Sequence, residues 1–173
     1  MSKGYVDAFA RQGATLRNAQ WSFSARANDG SIVLSCWIDF FIPSKEHGIP
    51  GVMRYRDTLQ RVSHNTRGSS ELRAFLDEAR SAGTPIKLIV ARPGDARLLQ
   101  SGKSASHAGN RFEPRTDVTG ALVEFDGDRY VIDFRKVLVK GSGSFFAISS
   151  TSVAKQHRET RRAAHRKCAV STQ

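Results

Sequence analysis

Apolar and polar positions change period several times along the chain. In "QWSFSARANDGSIVLSCWIDFF", residues 20–41, Trp21, Phe23 and Ala25 alternate with Ser22, Ser24 and Arg26. That period of two predicts a half-buried strand with Trp21, Phe23 and Ala25 on one face. Asn28-Asp29-Gly30 tolerates positive φ, the chemistry of a hairpin turn. The returning segment, Ile32 to about Phe41, is apolar on both faces and predicts a strand interior to its sheet. Upstream, Val6, Phe9, Ala10 and Leu16 with Gly13 fit either a short helix or an irregular lead-in.

Pro43 and "SKEHGIPG" end the strand, and "MRYRDTLQRVSHN" predicts a short helix from Tyr55, Leu59 and Val62 at helical spacing. The following helix has Ser69 or Ser70 as its cap, Leu72, Phe75, Leu76 and Ala79 as its apolar face, and Gly83 as its stop. Pro85 opens "IKLIVAR", a short buried strand ended by Pro93-Gly94-Asp95. Residues 96–120, rich in glycine, serine and charge, predict an irregular stretch. "ALVEF" and "RYVIDF" flank Asp126-Gly127 as a second hairpin, which "KVLVK" extends, and "SGSFFAIS" reads as a last strand. No repeat or heptad is visible. The expected fold is α+β: a curved, mostly antiparallel sheet, with barrel-like closure as a variant, and one or two packed helices. The expected organisation is a single domain over 1–154 and a basic arm over 155–173, helical or disordered.

At 173 residues the chain is long enough to bury a core. No apolar run approaches the roughly 20 residues of a membrane span, and "MSKGYVDAF" lacks the apolar centre of a signal peptide. Cys36 and Cys168 form neither a metal-ligand spacing nor a disulfide framework, and Cys36 reads as a small buried hydrophobe. These features predict a soluble protein of a reducing compartment, the cytoplasm, with no membrane partner.

Charge changes the picture most. The net charge is +11, from 27 basic and 16 acidic residues. A basic surface attracts phosphates and releases their condensed counterions, which points to a polyanion. "KQHRETRRAAHRK" holds five of the eleven net positive charges, so six remain on the rest of the chain.

The chemical constellations tested are sparse. A metal-dependent nuclease centre would need paired carboxylates and a lysine, and the nearest run, "FDGDRYVIDFRK", offers Asp126, Asp128, Asp133 and Lys136. Asp133 and Lys136 are three apart, so on a strand they leave opposite faces, and the spacing is wrong. His47, His64 and His107 are isolated in sequence, and His157, His165 and Cys168 sit among cations that would repel a metal ion. "GSGS" at 141–144 lacks the lysine and helix of a phosphate loop. No cofactor and no metal are expected, and no catalytic residue is assigned.

Candidate nucleic-acid contacts are Arg92, Arg97, Lys103, His107, Asn110, Arg111 and Arg115 in the irregular stretch, where guanidinium forks and amides approach a phosphate backbone. Arg54, Arg56 and Arg61 either extend this patch or form the outer face of a helix. Lys155, Arg158, Arg161, Arg162, Arg166 and Lys167 add a non-specific phosphate contact from the arm. The bland reading of both groups is a solvated surface. Trp21 reads first as core. Trp37, out of phase with Leu34 and Cys36, shares a mixed face with Val33, Ser35 and Asp39, and is the better candidate for display to a base. Stacking there would contribute about 1–3 kcal/mol per base.

The order hairpin, helix, strand, basic irregular stretch and second hairpin resembles the N-terminal DNA-reading domain of McrA-type modification-dependent restriction endonucleases. "WSFSA…NDGSIVLSCW" is similar to the aromatic-serine hairpins of such readers, and the resemblance covers residues 20–140. It implies binding, to modified or flipped cytosine in an aromatic cage, without cleavage, because the family's separate HNH domain has no counterpart in this sequence.

The expected function is nucleic-acid binding, with double-stranded DNA ahead of RNA and no cleavage activity. A protein-interaction module or inhibitor that turns its basic face to an acidic protein is the alternative from another class, and a metal-dependent nuclease is the third. Nothing in the sequence specifies an oligomeric state.

Overall fold

The computed structural model describes residues 3–94 and 109–137; the strand expected at "SGSFFAIS" and the arm from Lys155 lie outside them. The lead-in is a helix, α1 (Lys3–Arg11). Strands β1 (Ser24–Arg26) and β2 (Ile32–Trp37) form the first hairpin. After a 3-10 turn at Ile38–Phe40 come the two-residue β3 (Phe41–Ile42) and the one-turn α2 (Ser44–His47). Strand β4 (Val52–Thr58), a second 3-10 turn (Gln60–Val62) and α3 (Thr66–Ala82) follow. Strands β5 (Ile86–Arg92), β6 (Arg111–Phe125) and β7 (Arg129–Lys136) complete the described elements.

The fold is α+β, as expected. Seven strands make one mixed sheet in the order β1-β2-β5-β6-β7-β4-β3. Five of the pairings are antiparallel, and β2 with β5 is parallel. Neighbouring parallel strands need a crossover, and here the chain inserts β3, β4 and α3 between them. Strands β1 and β3 terminate the sheet, so it is open and does not close into a barrel.

Each face carries its own core. Against one face, Leu72, Leu76 and Ala79 of α3 pack on Ile32, Leu34 and Cys36 of β2, on Ile86, Leu88 and Val90 of β5, and on Tyr130, Ile132 and Phe134 of β7. Each leucine buried this way contributes about 1.5–3 kcal/mol. Against the other face, Ala8 and Phe9 of α1 pack with Ala25, Val33 and Ile89. The apolar face and Gly83 stop of α3 agree with expectation, Gly83 taking φ +67° while its N–H donates to Ala79 O at 3.1 Å. The cap lies one turn earlier than Ser69 or Ser70: Asn65 Oδ1 accepts from Gly68 N at 3.0 Å.

Three expectations are corrected. First, Phe23 and Ala25 belong to different cores, and Ser22 and Ser24 are buried. The strand starts only at Ser24; before it the chain turns, with Ser22 N donating to Asn18 O at 2.9 Å. Second, the helix expected in "MRYRDTLQRVSHN" is β4 plus a 3-10 turn, and Tyr55, Asp57 and Leu59 are the buried alternate positions. Third, residues 111–120 are the first part of the fifteen-residue β6 rather than an irregular stretch.

Candidate nucleic-acid interface

Parallel pairing brings the C-terminal ends of β2 and β5 together, and β6 starts at that same end. Trp37 stands opposite Ala91, Ala91 opposite Phe112, and Arg92 opposite Arg111. Residues distant in sequence thus converge: Trp37, Arg92, Asn110 and Arg111. Side chains alternate along a strand, so the indole leaves the α1 face and the two guanidinium groups leave the α3 face of the same sheet end. Arg92 and Arg111 are exposed, and Trp37 is half-buried. Asn110 Oδ1 accepts from Gly94 N at 3.3 Å, which ties the strand connection together at its base.

The arginine pair is electrostatically open. Like charges directly opposed on a ladder are destabilising. Among the described residues the nearest carboxylate contact is Arg92 Nε to Glu113 at 3.9 Å, between two side chains that are both about half exposed. Arg115 differs. It holds Asp117 through two 2.8 Å hydrogen bonds, and those bonds keep the Asp117 carboxyl down at about 2. Its charge is neutralised within the fold.

Trp21 lies in the turn before β1. Its carbonyl accepts from Asn65 Nδ2 at 2.9 Å, and the Arg17 guanidinium carbon lies 6.0 Å from its ring centroid. Ser35 N donates to Phe23 O at 3.1 Å, so Trp21 precedes and Trp37 follows that link by two residues each. Both tryptophans therefore lie toward one end of the sheet, and both are half-buried. Tyr5 of α1 supports this end: its hydroxyl donates to Ser22 O at 2.7 Å, and its ring centroid lies 4.6 Å from that of Phe112. Burial, then the Glu71 carboxylate, pushes the Tyr5 hydroxyl well above its ordinary range against a hydrogen bond with Ser35, so it stays a neutral donor.

Arg97, Lys103, His107, Lys155, Arg158, Arg161, Arg162, Arg166 and Lys167 lie outside the described residues. Of the arginines considered as an extension of the patch, two are committed within the fold. Arg61 forms an ion pair with the buried Asp57, which also accepts from Tyr55 Oη at 2.6 Å, Tyr130 Oη at 3.3 Å and Thr58 N at 2.8 Å. The Arg61 guanidinium lies over Phe40, 4.6 Å from the ring centroid. Arg54 grips Asp133 in a bidentate pair, Nε to Oδ1 at 2.7 Å and Nη2 to Oδ2 at 2.8 Å.

That pairing bears on the nuclease arrangement. Asp133 is turned to Arg54 and is 7% exposed. Asp126 Oδ1 accepts the backbone N–H groups of Asp128 and Arg129 in the hairpin loop, and Asp128 Oδ1 accepts from Gln60 N. These carboxylates serve the fold. Among the described residues no group of three or more His, Cys, Asp or Glu side chains is arranged to hold a metal ion, and no helix is long and apolar enough to cross a membrane.

Sequence reasoning marked Arg54 and Arg56 only as an extension of the first patch and missed that they share a second basic surface, on β4 and β7, with Arg129 and Arg135. Their register sets Thr58 opposite Arg129, Arg56 opposite Val131, Arg54 opposite Asp133 and Val52 opposite Arg135. Opposed residues share a face, so Arg54, Arg56, Arg129 and Arg135 all leave the same side of two adjacent strands. The only advance signal was arginine at alternate positions in "RYR" and at Arg129 and Arg135 of "RYVIDFR"; a strand assignment for residues 52–58 was needed to use it. No protein-family model, curated protein or solved structure matches the chain in comparisons of sequence and fold.

Proposed function

We propose that this chain is a nucleic-acid-binding protein that takes double-stranded DNA and does not cut it. The observation that carries the reading is the convergence of Trp37, Arg92, Asn110 and Arg111 on one end of the sheet from three separate strands or their flanks. Two opposed, exposed guanidinium groups suit phosphate oxygens, and a polyanion relieves their mutual repulsion. An aromatic ring on the opposite face of the same sheet end suits stacking on an unpaired or flipped base. The resemblance to modification-dependent DNA readers adds the expectation that this base is a modified cytosine. The arm beyond Lys155 would add sequence-independent attraction.

The test is a titration of the full chain against labelled duplex, single-stranded DNA and RNA at two salt concentrations, with polyglutamate as competitor. The expected result is salt-sensitive binding that favours duplex DNA, is displaced by unlabelled duplex far better than by polyglutamate, and is weakened by Arg92→Gln with Arg111→Gln. Displacement by polyglutamate at equal charge would favour the inhibitor reading. Mg²⁺-dependent nicking lost in Asp133→Ala would favour the nuclease.

A further inference from the structure

We propose that the open face of β4 and β7 is a second, separate surface for the sugar-phosphate backbone of the same nucleic acid, an inference that rests on the reading above. Four arginines occupy this face, Arg54, Arg56, Arg129 and Arg135, against three carboxylates: Asp133 and Glu124 flank Arg54, and Asp126 faces Arg129 across the hairpin. Arg54 is held by Asp133. Arg56, Arg129 and Arg135 are exposed, and among the described residues none of the three forms a salt bridge.

The layout fits a backbone better than a single phosphate group. From Arg129 to Arg135 is six residues of strand, about 20 Å at the rise of a β-strand. Measured along the helix axis, where each strand of B-DNA carries one phosphate per about 3.4 Å, that stripe covers the axial span of roughly six phosphates per strand. Arg129 and Arg135 each face a threonine across the ladder, Thr58 and Thr119, whose hydroxyls supply the short neutral contacts common at phosphates. The face lacks the aromatic anchor that favours a protein partner. Its uncharged members are the two threonines, exposed Ala121, the half-buried Ile42 that β3 sets opposite Arg54, and buried Val52 and Val131, with no aromatic ring among them to anchor the apolar centre of a protein–protein interface.

The arginine face and the sheet end are distinguishable by counterion release, because each lost phosphate contact lowers the slope of log affinity against log salt by about 0.9. Full-length wild type, an Arg56→Gln/Arg129→Gln/Arg135→Gln triple variant and an Arg92→Gln/Arg111→Gln double variant are titrated with labelled duplex from 50 to 200 mM salt. Thermal unfolding confirms that each is folded. The triple variant is expected to lower the slope by about 2.7, so that its affinity loss over this salt range is about 40-fold smaller than that of wild type. The corresponding lysine triple variant keeps the wild-type slope, since counterion release counts charge rather than guanidinium shape. A triple-glutamine slope equal to wild type, with the double variant lowered, would overturn this surface and leave the sheet-end reading standing. Absence of nucleic-acid binding by wild type would overturn both.

Discussion

Gly68→Ala is a severe test of how α3 meets the tryptophan turn. Helix propensity alone predicts a gain of up to about 1 kcal/mol, because glycine is the poorer residue inside a helix. The packing predicts the opposite. A Cβ at Gly68 would lie 2.2 Å from the Trp21 carbonyl oxygen and 2.7 Å from Cε2 of Phe23. The first neighbour is backbone and cannot rotate away, so the helix and the turn must separate by about 1 Å to reach the usual C···O contact of about 3.3 Å. Separation strains the 2.9 Å hydrogen bond from Asn65 Nδ2 to Trp21 O, worth about 1 kcal/mol, and the cap that Asn65 makes to Gly68 N. Overpacking adds about 1–3 kcal/mol. The net expectation is a loss of about 2 kcal/mol, or roughly 6–10 °C in Tm for a domain of this size. Urea and thermal unfolding of Gly68→Ala measure it, with the exposed α3 position Ser70→Ala as control, expected within about 0.5 kcal/mol of wild type. A Gly68→Ala protein as stable as wild type would refute the close contact of α3 with residues 21–23.

The other expectations concern charge. Arg61→Gln leaves Asp57 with only tyrosine hydroxyls and a backbone N–H; breaking such a pair costs about 3–5 kcal/mol when fully buried, and with Arg61 31% exposed about 2–3 kcal/mol is expected. Asp57→Asn with Arg61→Gln should recover part of that loss in a double-mutant cycle, and strict additivity of the single changes would contradict the pairing. A hydrogen bond from the Lys87 ammonium, then one from Ser31, hold the Asp29 carboxyl down at about 2, against about 3.9 in an unfolded chain. A depressed carboxylate adds stability above its unfolded pKa and loses it as pH falls toward its folded one, so the advantage of wild type over Lys87→Met should shrink between pH 5 and pH 2. Asp29 is 58% exposed, which limits the effect to about 1 kcal/mol or less, and a pH-independent difference in urea unfolding would argue against the ion pair.

Where local chemistry was self-sufficient, the fold was legible. Asn28-Asp29-Gly30 and Asp126-Gly127 announced hairpins because the turn is encoded in residues that tolerate it, and Gly30 and Gly127 take φ +84° and +104°. The face of α3 was legible for the same reason: Leu72, Leu76 and Ala79 meet the core at helical spacing. Strand β4 was not, because Asp57 occupies a core position between Tyr55 and Leu59 and breaks the alternation that would have revealed a strand. Its neighbours Tyr55 and Arg61, with Tyr130 brought across from β7, make a buried carboxylate acceptable there. The first part of β6 was hidden by Pro114, which cannot donate to a ladder. It is tolerated because the described pairing of β6 with β7 begins only at Val118.

The candidate site follows the same logic. Trp37, Arg92, Asn110 and Arg111 were each marked by residue type, but their meeting depends on the parallel pairing of β2 with β5, a long-range contact with no local signature. Arg115 was marked equally and drops out because Asp117, two residues along the same strand, neutralises it. Arg56, Arg129 and Arg135 became a set only through the β4–β7 register.

The most direct measurement is fluorescence anisotropy of a labelled duplex titrated with full-length wild type and with Arg92→Gln/Arg111→Gln at about 100 mM salt. If the sheet end grips phosphates, the double variant remains folded and binds at least about tenfold more weakly, with a salt slope lower by about 1.8. A folded double variant that binds with wild-type affinity and slope would contradict the assignment of the sheet end as a nucleic-acid interface.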